Sequence, residues 1–259
     1  HLSIRRQRQM CIRDRFSWAF ELCDGGITVG VSPYPHREIR STDASGSVVR
    51  YVPANVIAHD VAVKSNVTEF TDLKVLYIGQ SFASGNRSAF TRLQSHSTLQ
   101  KILADMAYQE PGEEVVVLML EYAAYQVISS IDGGANCQID GDKEEHRYVD
   151  IMTRPLKKLE QVSLVEAGLI RYFAPHFNTV YKANFPASSH KVLRSCYDLD
   201  FSGLIVEVGT RDLGIRLWSD RVKPSSHHIA EIDLHGKSDR AGFFYPSYHR
   251  GIPPAGLIA

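Results

Sequence analysis

Residues 73–96, LKVLYIGQSFASGNRSAFTRLQSH, leave a folding chain few options. Lys74 to Ile78 is a short apolar stretch of strand type, and Gly79 stands where the backbone must turn sharply or let a ligand approach closely. The loop of residues 80–87 is rich in Ser, Gly and Asn and breaks any regular element. A first helix is expected over 88–94, and Arg92 and His96, four apart, share a face if it extends that far. Ser97-x-x-Gln100 has capping-box form and opens a second helix with Leu99, Ile102, Leu103 and Met106 on one side. His96 then sits at a joint between helices, where an imidazole can reach a cleft. A phenol at a strand end (Tyr77), a guanidinium and an imidazole can handle a phosphodiester once a carboxylate joins them.

Around this stretch the chain alternates β patterns and helices. Residues 27–31 (ITVGV), 47–52 (SVVRYV) and 55–64 (NVIAHDVAVK) are β-branched and read as strands, separated by a small-residue loop over 43–47. Residues 114–122, EVVVLMLEY, form a near-continuous apolar run expected to be a central strand buried on both faces. Residues 132–146, DGGANCQIDGDKEEH, lack the oxygen-ligand spacing of an EF-hand and read as a solvated connection. Leu156, Leu159, Val162, Val165, Leu169 and Phe173 recur at helical intervals and stop before Pro175, with Glu166 beside the stripe. A carboxylate at the edge of a buried helix face needs a cation, a hydrogen-bond partner or solvent. Residues 203–208, 214–218 and 227–234 return to β patterns, and Asp198 and Asp200 read as solvated carboxylates.

Composition sets outer limits. The formal charge is zero, 29 basic residues against 29 acidic, which argues against a protein coated in positive charge but leaves room for a local basic groove. The four cysteines stand apart, with neither zinc-ligand spacing nor a dense disulfide framework, so unpaired thiols in a reducing, cytoplasmic setting are expected. No apolar run approaches the ~20 residues of a membrane span. Residues 1–15 carry five arginines within eleven positions, and QRQMCIRDR resembles translated adapter read-through, so the segment is set aside from fold reasoning.

The order Tyr77-Ile78-Gly79, Gln80-Ser81, Arg92-x-x-x-His96, apolar strand, Glu166 and Pro175-x-Phe177-Asn178 resembles the GIY-YIG nuclease superfamily over residues 73–182. EAGLIRYFAPHFNTVYKANFP (166–186) is similar to the segment that closes the GIY-YIG domain of bacterial excinucleases, where a helix bearing a metal-ligand glutamate runs into a P-x-[YF]-N turn. The resemblance implies an α/β (α+β) fold, a small antiparallel sheet flanked by helices, with further β-rich segments at both ends. It sets expected divisions at 1–15, 16–70 (β-rich flank), 71–185 (nuclease-like domain) and 186–259 (β-rich region). It implies metal-dependent endonuclease chemistry on DNA, with Tyr77, Arg92, His96 and Glu166 catalytic. Glu166 would hold Mg²⁺ or Mn²⁺, and Gly79, Gln80, Ser81 and Asn178 would lie against substrate. The family's first motif, a G-I-Y strand shortly before YIG, does not occur, and no tyrosine lies between Tyr51 and Tyr77. Either His59 or Tyr51 replaces its phenol, or His96 is the base, or the chain keeps the fold as a non-catalytic module binding nucleic acid or a protein.

Overall fold

The computed structural model describes residues 18–20, 22, 25–65, 67, 70–80, 97–122, 125–128, 141–181 and 201–235. The chain divides into two compact units, one drawn from residues 1–76, 93–118 and 208–228, the other from 77–92, 119–207 and 229–259. The described residues are mixed α and β, with small sheets and a few helices, within the α+β class expected.

In the first unit, strands β1 (Thr28–Val31), β2 (Glu38–Thr42) and β3 (Val48–Pro53) form an antiparallel meander in that order. The β2–β3 turn is held by Asp43, whose Oδ1 accepts hydrogen bonds from the Ser45 amide, the Ser45 hydroxyl and the Ser47 amide, while Gly46 takes φ 82°. The Ser45 hydroxyl above all, with these amides, holds the Asp43 carboxyl below its ordinary value. Helix α1 (Ala54–Ser65) follows at once, where the sequence pattern predicts a strand over 55–64. The β-branched residues mislead here because Ala54, Ala58 and Ala62 favour helix. Asp60 and Lys64 also pair at the i,i+4 spacing (2.7 Å), which only a helix offers. The strand preference of the β-branched residues is outweighed, with Val61 and Ala62 turned inward.

Strand β4 (Asp72–Lys74) is shorter than the predicted 74–78 strand and pairs parallel with β6 (Arg216–Trp218), Leu73 opposite Leu217. Val75 N–H donates to Trp218 O (2.8 Å) and Arg216 N–H to Thr71 O (2.9 Å), extending the ladder at both ends. The Arg216 guanidinium forks onto both Asp72 carboxylate oxygens at 2.6 and 2.7 Å. Lys74 bonds Asp220 (2.5 Å) and lies 5.2 Å from the centroid of the Trp218 ring. Helix α2 (Ser97–Gln109) begins at the predicted cap and buries Ile102 and Met106. His228 is buried, its Nε2 within 3.0 Å of Leu217 O and 2.9 Å of Ser225 O, and burial pushes its imidazole below the ordinary value.

Two expectations fail outside these elements. Residues 115–122 carry no strand, and Met119 is 67% exposed, so the predicted doubly buried central strand is not formed. An apolar run becomes a strand only where a neighbouring edge satisfies its backbone, and periodicity says nothing about whether one is present. The predicted loop over 132–146 also gives way at Gly141, where helix α3 (Gly141–Thr153) begins. Asp142 and Glu145 lie in its first turns, where carboxylates favour the positive end of a helix.

The second unit is built on helix α4 (Lys158–Phe173). Its start is set by Glu160, whose carboxylate accepts the Lys157 N–H (2.8 Å), and it ends at Ala174 in the left-handed conformation (φ 46°, ψ 56°) just before Pro175, as predicted. Helix α5 (His176–Tyr181) follows directly. The buried face of α4 runs through Ser163, Leu164, Glu166, Ala167, Gly168, Leu169 and Phe173, rotated from the predicted stripe, since Val162 and Val165 are only partly covered. Small residues explain the shift. A Cβ on Gly168 would lie 3.1 Å from a Val206 methyl, so the helix approaches strand β5 (Gly203–Gly209) more closely than a larger residue permits. Strand β7 (His227–Asp233) pairs with β5, and Leu234 N–H reaches Ser202 O at 3.0 Å. Leu164 and Ala167 pack with Ile232 and Leu234 to form a hydrophobic core. Among the described residues, no helix is long and apolar enough to cross a membrane.

Candidate active site

Three side chains of the α4–α5 region converge on the four residues Tyr77-Ile78-Gly79-Gln80, which lie outside the strands formed among the described residues. Asn178, on α5 and buried to 5% exposure, grips Ile78 at both backbone groups. Its Oδ1 accepts the Ile78 N–H and its Nδ2 donates to the Ile78 carbonyl, each at 2.8 Å. An extended residue points its N–H and C=O to the same side, and a carboxamide matches that pair as a neighbouring strand would. Pro175 sets the entry to this turn, and the Asn178 amide reaches back to its carbonyl (3.2 Å).

Glu166 and Ser163 stand three apart on α4 and so lie on one helix face. The Glu166 carboxylate, 5% exposed, accepts the Gln80 backbone N–H through Oε1 at 3.2 Å. Ser163 donates its hydroxyl to the Gln80 side-chain oxygen at 3.1 Å. Gln80 is thus held twice by one helix, through its main chain and its side chain.

Tyr77 is half-buried, and its ring folds back over Gly79. A Cβ at position 79 would fall 2.7 Å from Cε1 and 3.1 Å from Oη of that ring. Glycine here leaves space for a phenol to lie along its own backbone, next to the residue that Glu166 holds. Tyr77, Gly79, Gln80, Glu166 and Asn178 are therefore gathered into one neighbourhood of the second unit, through 86 residues of sequence separation in the Gln80–Glu166 bond and 100 in the Ile78–Asn178 bond. Ser81, Arg92 and His96 lie outside the described residues, as do the helix expected over 88–94 and the Asp198–Asp200 pair.

The two alternative sources of the missing phenol have other surroundings. His59 sits on a helix rather than a strand, with Nε2 3.1 Å from Leu213 O and close above Gly214. Tyr51 lies exposed on β3 opposite Arg40. Ser163 is the member of the cluster that sequence reading missed. The available signal was a hydroxyl within an apolar helix, one turn before a carboxylate, a position where a polar group must find a partner.

Among the described residues, no group of three or more His, Cys, Asp or Glu side chains could hold a metal ion. A magnesium-type site needs only one or two protein carboxylates when phosphate oxygens and water complete it, and Glu166 is a donor of that hard-oxygen type. No family model, no curated protein and no solved structure matches the chain.

Proposed function

We propose that this chain is a GIY-YIG-like endonuclease that hydrolyses DNA phosphodiester bonds with one divalent metal. The observation that carries the reading is the bond from Gln80 N–H to Glu166, which joins the YIG segment to the glutamate helix across 86 residues. In this reading Glu166 would hold Mg²⁺ or Mn²⁺, which when bound supplies charge neutralisation at the phosphate. Tyr77 hydrogen-bonds the attacking water or a phosphate oxygen from its place over Gly79. Arg92 binds phosphate oxygens through its planar fork, and His96 accepts or returns a proton near neutral pH. Asn178 acts indirectly: both ends of its amide are engaged with Ile78, which fixes the segment that carries Tyr77 and Gln80.

The test is nicking of supercoiled plasmid and branched DNA by the full chain with Mg²⁺ or Mn²⁺, against Glu166→Gln. The expected loss is about 100-fold or more in rate, typical of removing one charge-stabilising group. Equal cleavage by both proteins would end the reading. One observation favours a second reading, a non-catalytic module that binds nucleic acid or a protein: residues 54–65 form a helix, so His59, one of the two residues that could replace the missing phenol, is not on a strand. DNA binding that is equal in both proteins, without cleavage by either, would establish that module.

A further inference from the structure

Gln80 is held in the cluster through both its main chain and its side chain. Its backbone N–H goes to Glu166 and its side-chain oxygen accepts the Ser163 hydroxyl. Among the described residues its side-chain NH₂ meets no acceptor, and the residue is only partly covered. With its oxygen accepting from Ser163, the carboxamide turns its NH₂, which carries two N–H donors, away from that hydroxyl. Ser163 itself is 1% exposed, and a hydroxyl buried to that depth is costly unless bonded. Its partner is the Gln80 side-chain oxygen, which leaves the NH₂ as the outward end of the amide.

We propose that Gln80 binds an anionic phosphate oxygen of the nucleic-acid backbone through this NH₂, and that Ser163 is a positioning residue that orients the amide for it. The inference rests on the phosphodiesterase reading above and adds to it a neutral donor one residue beyond the YIG glycine. Neutral amides that bind phosphate carry no base information, so the contact positions the strand and does not select its sequence. It also suits a chain of zero net charge, in which a backbone grip has to come from placed donors as well as from cations.

The experiment replaces Gln80 with Lys, Leu and Glu, and Ser163 with Ala, in the full chain. It measures affinity for a short labelled duplex in metal-free buffer, steady-state nicking with Mg²⁺, and the melting temperature of each variant. A phosphate donor predicts that DNA affinity follows charge, Lys at least equal to Gln, then Leu, then Glu, with the Glu variant weakened about tenfold or more. A merely structural Gln80 predicts the reverse at the acidic end, because glutamate is nearly isosteric and accepts the Ser163 hydroxyl at least as well. Ser163→Ala is expected to raise KM several-fold with kcat unchanged, the pattern of lost ground-state binding. Wild-type nicking with all four variants at wild-type affinity would overturn this inference and leave the nuclease reading standing. A wild type that neither nicks nor binds the duplex would remove both together.

Discussion

Two short extended segments follow one another in the chain, and each is held in its own unit by a different kind of bond. Strand β4 (Asp72–Lys74) is fixed by a backbone ladder to β6, with Asp72 and Arg216 adding a two-pronged ion pair at its start. Residues 77–80 are fixed by side chains: Asn178 on Ile78, Glu166 and Ser163 on Gln80. A ladder asks little of sequence, since every residue but proline carries the same donor and acceptor. A side-chain clamp asks for particular functional groups at particular positions. The first kind of segment tolerates substitution and carries structure, whereas the second concentrates its dependence on three residues and puts a phenol and an amide in fixed places.

That difference is broken most directly at Asn178. Asn178→Ala leaves the Ile78 N–H and C=O without the partners they have now, and an unsatisfied polar group removed from water costs about 1–3 kcal/mol. A destabilisation of ~3 kcal/mol by urea unfolding is expected, with faster hydrogen exchange at the Ile78 amide. Lys74→Ala deletes the pair with Asp220 and the contact with Trp218 from a side chain only 12% exposed but leaves the β4 ladder intact, and is expected to cost about 1–2 kcal/mol. If the two substitutions cost the same, the clamp is no more demanding than the ladder and the contrast fails.

The ion pair at the start of β4 is the next measure. Its carboxylate and guanidinium are 19% and 35% exposed, and the geometry is bidentate, so it should exceed an ordinary surface pair. A double-mutant cycle with Asp72→Asn and Arg216→Gln is expected to give a coupling of about 1–2 kcal/mol. A coupling near zero would mean that the ladder alone holds β4, which sharpens the comparison in the other direction.

At the end of α4 a smaller effect of opposite sign is expected. Ala174 occupies the left-handed region with φ 46°, its N–H bonded to Ile170 O at 2.8 Å. A residue with a Cβ carries a penalty there that glycine does not. Ala174→Gly should therefore stabilise the second unit by ~1 kcal/mol, less the greater freedom glycine has when unfolded. The turn that presents Asn178 begins one residue later, so a gain confirms that the strain lies in the cap and not in the clamp.

The contrast also explains which parts of the molecule could be read in advance. Helix α4 was legible from its apolar recurrence and from Pro175, and strands β3, β5 and β7 from their β-branched runs, because these are local patterns. Residues 54–65 and 115–122 were not, because Val, Ile and Leu serve a buried helix and a strand alike, and the outcome depends on partners distant in sequence. Within the site, Tyr77, Gly79, Gln80, Glu166 and Asn178 were singled out through their order along the chain, which composition and spacing alone would have left as unrelated polar residues. Ser163 escaped because a lone serine in a helix carries no pattern. Its partner, the Gln80 side chain, is 83 residues away.

The smallest effect on stability is expected at Gly79, and it separates the ring from the clamp. No positive φ is required there, so alanine fits the backbone, and what it meets is the movable end of the Tyr77 side chain at 2.7 Å. Gly79→Ala should change stability by no more than about 0.5 kcal/mol, the strain of moving the ring offset by the lower freedom of the unfolded chain. The Tyr77 ring resonances should shift, because a methyl group takes the space the phenol now fills. The Ile78 amide should exchange as slowly as in the wild type, since Asn178 still grips it. This is the reverse of the Asn178→Ala signature, where the amide opens while position 79 is untouched. Accelerated exchange at Ile78 in the Gly79 variant would show that ring and clamp are one cooperative structure, and would remove the basis for treating Tyr77 as a group positioned independently of the peptide beneath it.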